Sequence, residues 1–532
     1  MDSPFAQHLH TNYAPSDLEV KAIRSHLIPH SQEVLRLEAL ISELSAQRNK
    51  TMDYIDAHKA LISPVRRLPP DILQEIFLAC LPTHRNCVLS ANEAPLILSR
   101  ICSAWRTFAL STPALWASLH LPLEYIFEWS LTNPVTEWLA RTGRHPLSLS
   151  ILGPRDLERR DSEGDQVDVL LDALVRCADR WSTLDLSFDS YEGLLRLSDV
   201  CAPALHTIKT KCDPLELAQL KLLTTPSLRV VTICLWQNFD RYVHALPLRW
   251  EHLTSISFDS MGLHQMQGLS LHVALDVLKR CPRLEHFETD VNNEFEFAPP
   301  SPLAVQPHVV LPALQTLIIS RKSSSMGPMT LEFLIGRLIM PRLRHLQLPR
   351  TNQAQFAQPF LGDLSTTSPL IEELDIDLTG LAYESLLQNI RMLPSLRKLV
   401  VLDSDAIQNV GPKYIAATVH LLLESLAPPS DVESTAAATP LCPQLCELWI
   451  RECRDLPGWE AELLDFAQRR LHSCGDTSFK HLDIEYKMFM PPIAPDVLAA
   501  FSARGLSISS SCPTHTWGCS PQPDTPWTGV DP

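Results

Sequence analysis

PRLRHLQL (residues 341–348), PLIEELDI (369–376), PSLRKLVV (394–401) and PQLCELWI (443–450) repeat one pattern: a proline, then apolar residues two, five and seven places on. Side chains alternate across a strand, so the residues at five and seven share one face. Between the second and third of these copies, Tyr383, Leu386, Leu387, Ile390 and Leu393 recur with the steps of a helix. A strand and a helix that each bury one face need neighbours of the same kind. The spacing therefore predicts stacked strand-helix units and a parallel strand ladder.

The same pattern extends towards the N-terminus as PALHTIKT from Pro203, PSLRVVTI from Pro226, PRLEHFET from Pro282 and PALQTLII from Pro312. Weaker copies centre on Leu149, Leu184, Ile256 and Leu482. Most intervals are roughly 23 to 35 residues, a repeat-protein period. Only 16 glycines are present and none forms a glycine-rich turn opening a helix, which argues against a nucleotide-binding sheet. The predicted fold class is α/β, with the array spanning residues 121–507. The stretch APPSDVESTAAATP before Leu441 reads as a projecting loop, and the proline- and serine-rich residues 508–532 as a disordered tail.

Residues four, six and eight places after each proline are predicted to point away from the repeat core, towards the concave side of a horseshoe. They include Asp259, Glu288, Asp290, Asp375, Asp377, Asp483 and Glu485, with the apolar Ile318, Val400 and Trp449. One reading is an acidic row that keeps an exposed sheet soluble. The other is an electronegative target-binding face with Trp449 as its aromatic anchor, presented to a basic segment of an unidentified protein.

Upstream, residues 1–30 lack a clear period and are expected to be disordered. Within residues 31–62, Val34, Leu37, Ile41 and Leu44 mark an amphipathic helix. Arg48 and Thr51 interrupt its heptads, so packing against a neighbouring element is expected in preference to a long coiled coil. Residues 63–120 form a helical module. Pro69 and Pro70 suit a first helical turn, Asp71 favours the positive end of the helix dipole, and Ile72, Leu73, Ile76 and Phe77 make one stripe. A second helical block carries Leu98, Ile101, Cys102, Trp105 and Ala109, and ends at Pro113.

In this module the order Leu68-Pro69, Ile72, Leu73, Ile76, Phe77, then Ile101-Cys102 and Trp105, then Leu115-Trp116 resembles the F-box. The preceding Ser63–Arg67 stretch is similar to many F-box proteins of mushroom-forming fungi. The link from Thr83 to Pro95 is longer than is usual in that family. The array resembles the irregular leucine-rich repeats that often follow an F-box, a leucine-rich-repeat-like solenoid, although only Asn292 stands where those repeats place asparagine. The resemblance implies that these eleven residues dock a Skp-type adaptor and, through it, a cullin-RING ubiquitin ligase, with the repeats receiving the target. The alternative is a repeat scaffold without a ligase, its helical module serving only as an N-terminal cap.

Composition narrows the remaining classes. Hydrophobic residues make up 45% and charged residues 20%, the usage of a folded protein. A net charge of -16 without a basic run argues against a nucleic-acid partner. The absence of a signal-like or membrane-spanning apolar run leads to the expectation of a cytoplasmic or nuclear protein without a membrane partner. Fourteen cysteines in a reducing compartment are expected to be free thiols. Neither Cys442, Cys446 and Cys453 nor Cys512, His515 and Cys519 has zinc-site spacing, so no metal or other cofactor is expected. No hydrolase, phosphate-loop or His-Glu-x-x-His motif is present, and no enzyme activity is expected of the chain itself.

Overall fold

A computed structural model describes residues 3–123, 132–153, 164–188, 196–212, 214–235, 240–260, 268–291, 308–320, 334–348, 367–377, 383–402, 421–428, 441–453, 459–473, 479–486 and 495–511. The projecting-loop residues 429–440, Asn292 and the tail from Cys512 lie outside them. The chain divides into two units, Met1–Ala79 and Cys80–Pro532.

The first unit contains α1 (Asp17–Leu61) and α2 (Pro70–Ala79). Helix α1 begins well before Ser31, which corrects the expectation that residues 1–30 are loose. A capping box starts it: the Glu19 carboxylate accepts the Ser16 N–H at 2.8 Å, and Asp17 and Glu19 lie in the first turn. The helix continues past Pro29, where one backbone hydrogen bond is lost. No residue of α1 is buried, so the expected packing against a neighbouring element is also corrected. Helix α2 has Pro70 and Asp71 in its first turn, as the sequence predicts.

The second unit opens with α3 (Leu98–Ile101) and α4 (Ser103–Leu110), which the sequence joins into one block. Cys102 takes an extended backbone between them, and its Sγ accepts the Trp105 N–H at 3.5 Å to cap α4. Among the described residues sixteen strands follow: β1 (Ser118–Pro122), β2 (Leu147–Leu152), β3 (Trp181–Ser187), β4 (Thr207–Lys211), β5 (Val230–Leu235), β6 (Ser255–Ser260), β7 (His286–Asp290), β8 (Val309–Val310), β9 (Thr316–Ser320), β10 (Leu338–Ile339), β11 (His345–Gln347), β12 (Glu373–Asp377), β13 (Lys398–Leu402), β14 (Glu447–Cys453), β15 (His481–Tyr486) and β16 (Ser507–Ser511). All but β8 and β10, which pair with each other, form one 14-stranded sheet in chain order. Every strand pairing is parallel, with helices such as Leu271–Arg280, Tyr383–Arg391 and Trp459–Ser473 in the crossovers. This is an α/β, solenoid-like layout of the unit.

Each copy of the proline pattern supplies one strand. The residue three places after the proline starts the ladder: Arg397 N–H donates to the Glu372 carbonyl and Cys446 N–H to the Arg397 carbonyl, both at 2.7 Å. Proline has no N–H to give, so it sits before the ladder begins. The fifth-place residues Ile208, Val231, Phe287, Leu317, Leu346, Leu374, Leu399 and Leu448 are all buried in one continuous core. Burying each such side chain stabilises the fold by about 1.5–3 kcal/mol.

Two strands lie outside the predicted bounds. β1 begins at Ser118, inside the stretch assigned to the helical module, and β16 extends to Ser511, beyond residue 507. Neither carries the proline pattern. The long Thr83–Pro95 link has a structural role at this end of the sheet. The Cys87 carbonyl accepts the His120 N–H at 2.7 Å, and Asn86 Oδ1 accepts the Ser148 hydroxyl at 2.7 Å. The link thus covers part of the edge strand β1, and its Arg85–Glu93 ion pair, at 2.7 Å, is itself largely buried. Among the described residues no helix is long and apolar enough to cross a membrane.

Candidate functional site

The parallel register sets the residues six places after the prolines side by side. From β7 to β16 the row reads Glu288, Ile318, Gln347, Asp375, Val400, Trp449, Asp483 and Ser509. Beside it runs the row four places after the prolines: His286, Thr316, His345, Glu373, Lys398, Glu447, His481 and Ser507. Because the residues between them are buried from β7 to β15, both rows lie on the sheet face opposite the core.

Where β11 to β14 meet this face, a groove of roughly 270 Å³ is lined by His345, Gln347, Glu373, Asp375, Lys398, Val400, Trp449 and Arg451, with Leu374 at its base. Its size is at the low end for a small-molecule pocket, and suits one or two side chains of a peptide. Trp449 dominates it. The indole N–H donates to Glu447 at 3.2 Å, the Lys398 ammonium lies 5.3 Å and the Arg451 guanidinium 5.1 Å from the ring centre, and the His481 ring stands 5.0 Å away. Cation–π attraction holds the indole in place on an open sheet, a preorganised aromatic surface.

The face is not uniformly electronegative, because lysine and arginine side chains stand on it among the carboxylates. Asp185 lies 3.7 Å from Lys209, Glu373 lies 3.7 Å from Lys398, and Glu485 lies 2.6 Å from Arg451. Glu288 is 3.8 Å from His286, Asp483 is 3.9 Å from His481, and Ser257 and Ser509 donate hydrogen bonds to Glu288 and Asp483 respectively. Adjacent strands set Lys209, Lys398 and Arg451 beside Asp185, Glu373 and Glu485, so the face carries both signs of charge. Burial pushes the Asp185 carboxyl up against the pull of Lys209, and burial holds the His345 imidazole below its ordinary range although Glu373 opposes this.

Among the sequence-predicted target residues, Asp375, Val400 and Trp449 converge on the groove. Glu485 joins its margin through Arg451. Ile318 and Glu288 lie further along the row, Asp483 follows Trp449, and Asp259 is exposed on β6. Asp290 is only 4% exposed and belongs to the interior, because β7 ends there against the segment at Leu269. Asp377 occupies a strand position, but its side chain lies outside the described residues. The periodic pattern could not single out His345, Lys398 and Arg451, since their importance comes from lying next to Trp449 across strands.

The predicted adaptor-binding residues divide by burial. Ile72, Ile76 and Ile101 are 46%, 39% and 58% exposed; Pro69 and Cys102 are exposed, and Leu68, Leu73 and Trp105 half-buried. Phe77, Leu115 and Trp116 are fully buried, so they are structural residues and not a docking surface. Trp116 packs edge-on against Trp138 with ring centres 4.8 Å apart, donates to the Ala109 carbonyl at 2.9 Å, and accepts the Trp138 indole N–H on its own carbonyl at 2.8 Å. The Leu115-Trp116 pair anchors α4 to the first crossover helix (Thr132–Arg141). Ten cysteines among the described residues are free, and no three His, Cys, Asp or Glu side chains converge as a metal site among those residues.

No family model matches this chain, and no curated protein sequence matches it.

Proposed function

We propose that the chain is the substrate-recognition adaptor of a Skp-cullin-F-box ubiquitin ligase, docking a Skp-type adaptor through the F-box-like residues and a target protein through the groove on the strand face. The observation that carries this reading is the pair Ile72 and Ile76, one turn apart on α2 and left exposed within an ordered apolar helix. A helix presents such a pair to water at a cost that a partner removes. With Phe77, Leu115 and Trp116 buried, the adaptor-contacting set reduces to Leu68, Pro69, Ile72, Leu73, Ile76, Ile101, Cys102 and Trp105. The target would be an extended segment setting an apolar side chain against Trp449 and Val400, flanked by polar groups that meet Asp375, Lys398 and Arg451. The chain would perform no chemistry. It would hold the target near the charged conjugating enzyme and raise the effective concentration of its lysines.

A second reading is favoured by one observation: Trp116 and the Thr83–Pro95 link are built into the first strands and crossover of the sheet, as a cap of a repeat scaffold would be. Reconstitution separates the two. Proteins captured by proximity labelling should be ubiquitylated by a cullin-RING ligase assembled with this chain, and both Ile76→Asp and Trp449→Ala should abolish transfer while leaving the sheet folded. Capture of targets through Trp449 without any transfer would establish the scaffold reading instead.

A further inference from the structure

Every residue of α1 is left unburied, including Leu27, Val34, Leu37, Ile41 and Leu44, each between 43% and 63% exposed. These side chains fall on one seam. Counting a from Val20, the a positions are Val20, Leu27, Val34, Ile41, Arg48 and Ile55, and the d positions are Ile23, His30, Leu37, Leu44, Thr51 and His58. The helix start at Asp17 adds two heptads ahead of Val34 to the register read from the sequence. Pro29 falls at c, away from the seam, where the missing hydrogen bond opens towards solvent. Ile28 and Leu35, at b, stay outside it.

We infer that α1 pairs with the α1 of a second copy of this chain as a parallel, in-register, two-stranded coiled coil. Three features select that occupant. β-Branched residues at a (Val20, Val34, Ile41, Ile55) with leucine at d (Leu37, Leu44) are the combination that favours parallel dimers. The polar layers His30, Arg48, Thr51 and His58 each face their own counterpart only when the two helices are parallel and unshifted. In register the two Arg48 side chains share one layer, from which long side chains can reach solvent, whereas sliding one helix by a heptad sets Arg48 against Ile41 and Ile55 and breaks two apolar layers. Finally, Glu19 at g, whose carboxylate caps its own helix, leaves negative charge on the side of the seam that faces Arg24 at e of the partner helix. The like-charged g–e′ pair Glu33 and Glu38 is moderated within each helix, since Arg36 already holds Glu33 at 2.8 Å.

Two copies joined at their N-termini would offer two strand-face grooves to one target, so a bivalent target would be held more tightly than either groove alone allows. The test uses the full chain. Light scattering at micromolar concentration should give a mass twice 59.7 kDa, and Leu37→Lys with Ile41→Lys should return it to a single chain with the helical and sheet content of the second unit unchanged. Val20→Cys should form a disulfide-linked dimer on mild oxidation, above any background from wild type treated alike. In an antiparallel pair centred on the seam the two Val20 positions would lie about 57 Å apart, too far to cross-link. A monomeric wild type, an assembly larger than a dimer, a dimer that survives both lysines, or a dimer in which Val20→Cys does not cross-link would each overturn the inference.

Discussion

Arg470 offers a sharp test of how the groove is held in place. Its side chain is wholly buried in the crossover helix Trp459–Ser473, and its Nη1 and Nη2 donate to the carbonyls of Cys442 at 3.2 Å and Leu441 at 2.6 Å. Cys442 has a left-handed backbone, φ 51°, so the chain reverses here immediately before Pro443 and the strand that carries Trp449. Arg470→Met keeps the apolar stem; the Cys442 carbonyl still accepts the Leu445 N–H at 3.1 Å, but the Leu441 carbonyl is left without its donor. An orphaned acceptor costs about 1–3 kcal/mol. Relief from burying the guanidinium charge offsets part of this, for a net loss of roughly 1–2 kcal/mol. Repeat units are stabilised by their immediate neighbours, so the loss should stay local. Hydrogen exchange should then show the amides of β14 and β15 opening roughly 5- to 30-fold more often, with β1 to β5 unchanged. Unchanged protection in β14, or a uniform loss across the sheet, would refute the reasoning.

Cys212, Cys281 and Cys442 are buried thiols pushed up to about 12, so in the folded chain they stay protonated where an unfolded chain would ionise near 9. Stability is therefore fully present below pH 9 and falls between there and about pH 12; a disulfide reagent at pH 8 should modify Cys80, Cys102 and Cys201 in the native chain, and these three only on unfolding. The imidazole of His345 is held below its ordinary value by burial, so stability should be unaffected above about pH 6.5 and decline as pH falls below it; an NMR titration should place His345 lower than the same residue in the urea-unfolded chain, and His345→Gln should remove that part of the acid dependence. Because the groove's ion pairs are already formed, raising salt should change the association rate of a captured target only a few-fold, while Trp449→Ala should speed its dissociation, both read by surface plasmon resonance.

The strand ladder was legible because each unit repeats its own constraint: a proline that has no N–H to give the ladder, then two inward residues separated by one outward residue. That rule places the outward residues in the right rows, and so it brings Asp375, Val400 and Trp449 together. It says nothing about the partner strands' charges, which is why an acidic list reads as an electronegative face until Lys209, Lys398 and Arg451 are set beside it. Burial of Phe77, Leu115 and Trp116 was equally hidden, since a tryptophan in a helical motif reads the same whether it meets a partner or the first crossover helix. The N-terminal extension of α1 is hidden from the periodicity for a local reason. Its start is written in one capping box at Ser16 and Glu19, while Pro29 interrupts the period that a search for helices follows.

Docking of a Skp-type adaptor on the exposed stripe of α2, as proposed, is measured directly by isothermal titration of the full chain against a purified Skp-type adaptor. A saturable complex with one adaptor per chain is expected, lost with Ile76→Asp in a chain whose sheet remains folded, and unaffected by Trp449→Ala, which lies on the strand face. No heat of binding with the wild-type chain, or equal affinity for wild type and Ile76→Asp, would contradict it.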